Sequence, residues 1–223
     1  MSLSKLLAQI PGALLSGPCS PPGSPHSLPE AHARFLAESN GALAYHGYFR
    51  LFGLGQAAAP SLGTWNETSY WKFAWPNAPL ESFVCFGGNA WGDQYAYKRG
   101  EGETIHLLGA FDMEPEPIAD SFEGFFRDEF LRCAREPYDQ ETLAAFERCG
   151  PLGWGEHLLQ APPLLLAGEL PKRASKMPAR TAMVANGDVA TQLADAPEQA
   201  VLQGLRPYLD DAGRDRLKVI WSD

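Results

Sequence analysis

Ser82-Phe83-Val84-Cys85-Phe86-Gly87-Gly88-Asn89-Ala90-Trp91-Gly92-Asp93-Gln94-Tyr95-Ala96-Tyr97-Lys98 is the stretch on which the fold turns. Ser82 to Phe86 and Gln94 to Lys98 are rich in aromatic and apolar residues, which suit a pleated, buried surface. Glycines and polar residues from Gly87 to Asp93 join them, so the pair reads as a hairpin. Lys98-Arg99-Gly100-Glu101-Gly102 supplies the next turn, and Thr104 to Leu108 the returning strand.

Helices flank this core. Downstream, Phe122, Phe125, Phe126 and Phe130 recur at i, i+3, i+4 and i+8, one face of a helix opening near Asp120. Asp120 and Glu123 have capping-box spacing, and Pro137 ends the helix. A short helix follows from about Gln140 to Arg148. Upstream, Ser27 and Glu30 have the same capping spacing, Pro29 suits a first turn, and Asn40-Gly41 supplies a left-handed stop. Ala42 to Phe52 reads as strand. Residues 1–26 form a separate N-terminal segment, with an amphipathic stretch over 3–15 and a Pro-, Gly- and Ser-rich run over 16–29. Residues 27–223 read as one domain, extended at its C-terminal end from about residue 151. In that extension 151–171 read as loop, Val189 to Leu193 and Pro197 to Leu209 as helix, and Leu217 to Trp221 as strand.

The charge balance is 18 basic against 27 acidic residues, a net −9. Phosphate neutralisation needs a basic face, so nucleic acid is a poor candidate partner. The acid is uneven: residues 101–130 hold nine carboxylates and one arginine, Arg127. No run approaches a membrane span and no secretory signal is visible. Cys19, Cys85, Cys133 and Cys149 lack metal-ligand or redox spacing, and read as free thiols in a reducing cytoplasm.

Catalytic patterns are thin. Gly53-Leu54-Gly55-Gln56-Ala57-Ala58 matches a dinucleotide fingerprint in letters only, since Pro60 blocks the helix that must follow. The five histidines are isolated, and no G-x-S-x-G elbow occurs. No cofactor, metal or catalytic residue is expected. Asp112, Glu114 and Glu116 alternate, and on a strand they would share one face and form an acidic rim for a basic partner. Trp65, Trp71, Trp75 and Trp91 belong to the core by default, with room for one or two at a binding rim.

The order of these pieces resembles the SMI1/KNR4 (SUKH) superfamily. Leu28-Pro29-Glu30 with Phe35-Leu36 and Asn40-Gly41 is similar to its opening helix and turn. Phe86-Gly87-Gly88 with Gly92-Asp93 is similar to its central hairpin. Ile118-Ala119-Asp120-Ser121-Phe122 with Phe125-Phe126 is similar to its late helix. A GAD-like immunity-protein group shares the pattern of glycine, acid and aromatic strand, and both alternatives stay open. The resemblance implies an α+β fold, a mixed or antiparallel sheet with helices packed against it. It implies a non-enzymatic protein-binding role, commonly that of a bacterial immunity protein neutralising a toxin domain; the alternative is a regulatory or scaffold protein with a non-toxin partner. The surface expected to bind comprises Trp91, Asp93, Asp112, Glu114 and Glu116.

Overall fold

The structure is a computed structural model that describes residues 2–17, 28–55, 60–135, 140–161, 173–196 and 202–221. Its centre is a seven-stranded antiparallel sheet: β1 (Leu14–Leu15), β2 (Ala42–Ala44), β3 (Phe49–Leu51), β4 (Phe83–Asn89), β5 (Gln94–Lys98), β6 (Ile105–Leu108) and β7 (Pro115–Ala119). The strands lie in sequence order, each paired with the next. The protein is therefore α+β, as expected. Its N-terminal stretch is built in, since β1 pairs with β2 and Leu7 and Ile10 lie in the core.

Both faces of β4 and β5 are covered, which is why the hairpin reads as nearly continuous apolar sequence. On β5, Tyr95 and Tyr97 face helices α2 (Glu30–Ser39), α4 (Phe122–Gly124) and the π turn Phe125–Phe130 that leads into α5 (Leu131–Arg135). Phe86 sits among them, with ring centroids 4.6 Å from Tyr97, 5.6 Å from Phe125 and 5.9 Å from Phe122. The phenylalanine periodicity thus marks a real buried face. Its cap is Ser121, whose hydroxyl accepts from the Gly124 N–H, in place of the expected Asp120. Asn40 takes the expected left-handed conformation, φ 44°, after α2. Ser27, the expected cap of α2, lies outside the described residues.

Alternate residues of β5 face the opposite way. Gln94 Oε1 accepts from the indole of Trp65 at 2.7 Å. Trp65, in α3 (Leu62–Trp65), stacks near Trp71, whose indole donates to the Trp65 carbonyl. The later helix α7 (Ala179–Ala194) follows α6 (Gln140–Cys149) and lies over this tryptophan layer. Trp75 Nε1 donates to the Met183 carbonyl, and a Cβ on Gly187 would stand 2.6 Å from that indole nitrogen. Glycine there permits the close approach.

The C-terminal region departs from expectation in two places. Part of the loop expected over 151–171 is strand: β8 (Glu156–Ala161) pairs with β9 (Arg173–Pro178), while residues 162–172 lie outside the described residues. The helix expected over Pro197 to Leu209 is, from Leu202 onward, strand β10 (Leu202–Leu209), paired with β11 (Asp215–Trp221). Gly204 and Pro207 explain it: one disfavours a helix interior and the other cannot donate within one. These strands form two separate hairpins and do not extend the seven-stranded sheet.

His32 is fully buried, stacked on Phe122 at 4.2 Å, and burial lowers its pKa from 6.5 to about 3. His157, also buried, is lowered well below the usual value by burial and by Arg50. Below pH 6.5 the unfolded chain binds these protons and the native chain does not. The stability that His32 carries is therefore fully present above pH 6.5 and falls on acidification toward about pH 3, by on the order of 1.4 kcal/mol per pH unit, and His157 acts in the same direction. Replacing His32 by Phe should flatten the slope of unfolding free energy between pH 6 and 4 by about one proton. An unchanged slope in denaturant titrations across that range would contradict this.

Candidate functional site

The even-numbered turns of the sheet, β2–β3, β4–β5 and β6–β7, meet at one end, and the expected binding residues gather there. The β4–β5 turn is organised by Asn89. Its Oδ1 accepts from the backbone N–H groups of Trp91, Gly92 and Asp93 at 3.0 to 3.1 Å, and Gly92 takes φ 113°. Its amide donates to Asp93 Oδ2 at 2.6 Å. The other oxygen of Asp93 accepts from the Ala110 N–H at 2.7 Å. Asp93 is thus a tie between two turns, half-buried, and its lone pairs are directed inward.

Trp91 is also half-buried and packs on the core edge. Its indole N–H donates to Thr142 Oγ1 on α6 at 2.9 Å, which fixes the ring. The backbone of this turn further meets α7 through Asn186 and β8 through the Leu158 N–H, which donates to the Ala90 carbonyl.

The acidic residues lie on the neighbouring loop. The expected single strand face of three carboxylates does not form: Asp112 and Glu114 sit in the β6–β7 loop, and only Glu116 lies on β7, opposite Leu107. The reason is Met113. Its side chain is fully buried and its backbone is left-handed, φ 59°, so the chain folds around it. Asp112 Oδ1 accepts from the Glu114 N–H at 2.9 Å and closes the turn. Phe111, Asp112 and Glu114 are left facing outward, and Phe111 is 45% exposed.

These three residues wall a groove of about 200 Å³ whose other side is Trp75, Asn77 and Ala78. Ala190, Thr191 and Ala194 of α7 line its helical side. Sequence reasoning found Asp112 and Glu114 but missed Phe111, although an aromatic residue inside an acidic loop is a usable signal. It could not find the α7 wall, which depends on tertiary packing. No ion pair engages Asp112, Glu114 or Glu116 among the described residues. No cluster of His, Cys, Asp and Glu able to hold a metal occurs among the described residues, and no helix there is long and apolar enough to cross a membrane.

No protein-family model matches this chain, and no curated protein does. Among solved structures it is similar to Atu4351 from Agrobacterium tumefaciens, at 10% identity over 84% of this chain and 83% of that one, with a TM-score of 0.48.

Replacing Asp93 by Ala removes the acceptor of Ala110 and of Asn89. A lost charge-assisted bond that leaves a donor unpaired costs about 1–3 kcal/mol. Denaturant unfolding should show that loss, and the Ala110 amide should exchange faster than in the parent chain. Unaltered exchange at Ala110 would mean the tie is not holding the loop.

Proposed function

We propose that this chain is a non-enzymatic protein-binding module, an immunity protein that neutralises a bacterial toxin domain in the cytoplasm. The observation that supports it most is the groove beside Phe111. An aromatic residue nearly half exposed stands beside carboxylates that no cation pairs with among the described residues, against a wall that includes small residues of α7. Exposed aromatics in a recess are typical anchors at interfaces, and charges around them steer a partner of opposite sign. The net charge of −9 acts in the same direction.

The edge beside the groove favours contact through side chains. β7 is the outer strand of the sheet, and Pro115 and Pro117 sit two residues apart on it. Both lack an N–H and both present their ring nitrogen to the same side. A partner strand would find two donors missing, so extension of the sheet here is disfavoured. The partner is accordingly a basic surface that sets a side chain into the groove.

The test is co-expression with the C-terminal domain of a large secreted protein encoded beside this chain. Survival of the host and a stable complex are the expected results. Replacing Asp112 by Asn together with Glu114 and Glu116 by Gln should weaken that complex by roughly tenfold or more at low salt, and flatten its salt dependence. Unchanged affinity in the triple variant removes the acidic rim. Survival conferred against no neighbouring domain transfers the reading to a regulatory or scaffold protein with a non-toxin partner.

A further inference from the structure

The groove beside Phe111 is negative on two of its walls. On the loop wall, Asp112 and Glu114 line it and form no ion pair among the described residues. The Glu114 N–H occupies Asp112 Oδ1, and the remaining carboxylate oxygens of the pair stay open to a donor. On the helical wall, Ala190, Thr191 and Ala194 belong to the last turn of α7. A helix carries roughly half a negative charge at this end, where its last carbonyls have no helical successor. That last turn holds no basic residue and its cap is Asp195, so the helix's own side chains leave its negative end uncompensated. Phe111, 45% exposed, adds an open aromatic ring to the same groove.

We propose that this groove receives the guanidinium of an arginine of the protein partner. The proposal rests on the protein-binding reading and names the side chain that the groove takes. Three observations select it. Carboxylates on one wall and a helix C-terminus on the other call for a cation and oppose an anion. The volume is about 200 Å³. Pockets that enclose whole small molecules measure roughly 300–1,000 Å³, so this one suits the end of a single side chain. The acceptors are spread over two elements beside an open ring. A guanidinium is planar, so it stacks on such a ring while its five N–H donors fan out to acceptors on both sides. A lysine ammonium is a compact, strongly hydrated charge with three donors and gains less from a flat ring.

The test titrates the full ¹⁵N-labelled chain at low salt with N-acetyl-arginine amide, and with N-acetyl-lysine amide as a comparison of equal charge. Amide resonances of Phe111 to Glu114 and of Ala190 to Ala194 should shift saturably with the arginine probe. Its dissociation constant should lie roughly three- to fivefold below that of the lysine probe, the factor that a stacked cation at an exposed ring supplies. Phe111→Leu, a surface change, should bring the two probes level, and Asp112→Asn with Glu114→Gln should weaken both responses. Equal binding of the two probes by the parent chain overturns the guanidinium. No saturable shift in these two segments, or shifts scattered over the other carboxylates, overturns the groove as a cation site. With a captured partner, Phe111→Leu should weaken the complex roughly fivefold. A complex that forms and ignores this substitution overturns the proposal while leaving the binding reading intact. If no partner complex forms, the binding reading fails, and the comparison of the two probes still decides for or against a guanidinium in the groove.

Discussion

The outer edge of β4 is the constraint around which the molecule is built. β3 ends at Leu51, opposite Gly87, so β4 has no strand beside it from Phe83 to Cys85. That segment is buried, and buried peptide groups must be paired. The Asn66 carboxamide takes the place of the absent strand: Oδ1 accepts from the Cys85 N–H at 2.8 Å and Nδ2 donates to the Cys85 carbonyl at 2.7 Å. Lys72, 4% exposed, continues the repair, its ammonium donating to Asn66 Oδ1 and to the carbonyls of Leu80 and Phe83. Burial lowers the pKa of this lysine, and the three acceptors offset the cost of keeping its charge. Once this edge is closed, the tryptophans can cover it and α7 can cover them.

The same device recurs at the C-terminal hairpin. On α7, Asp188 accepts from the Leu217 N–H, and Gln192 bonds the Leu217 carbonyl and the Val219 N–H. Helix side chains thus close the edge of β11, as Asn66 closes that of β4. Asp188, itself buried, also holds the partly exposed Arg216 in an ion pair. Arg50 of β3 fastens the C-terminal region to the sheet through the carbonyls of Trp154 and Glu156, and also donates to the Gly47 carbonyl of its own turn. The three turns at one end of the sheet are therefore held from behind, and Phe111, Asp112 and Glu114 project from a fixed base. Rigid support of this kind lowers the ordering cost of binding.

What the sequence revealed follows from how local each signal is. The phenylalanine spacing, the Asn40-Gly41 stop and the β4–β5 hairpin are written in neighbouring residues, and they appear where expected. Asn66 sits in Asn66-Glu67-Thr68, which has the letters of a glycosylation sequon, and Lys72 looks like an ordinary surface charge. Their roles depend on a strand that stops short, a fact of three dimensions. The segment Pro197 to Leu209 reads as helix from its apolar spacing, but Gly204 and Pro207 within it disfavour one, and the chain is strand there from Leu202. The acidic residues were found for the right charge and the wrong geometry: Met113, by burying itself with a left-handed backbone, turned an expected strand face into a loop.

Amide hydrogen exchange of the chain, alone and in complex with a captured protein partner, tests the central claim most directly. The account predicts slowed exchange at Ala110 to Glu114 and along the Ala190–Ala194 turn of α7, with α2 and β1 unchanged. Protection confined to α2 and β1, with none in the β6–β7 loop, would contradict it.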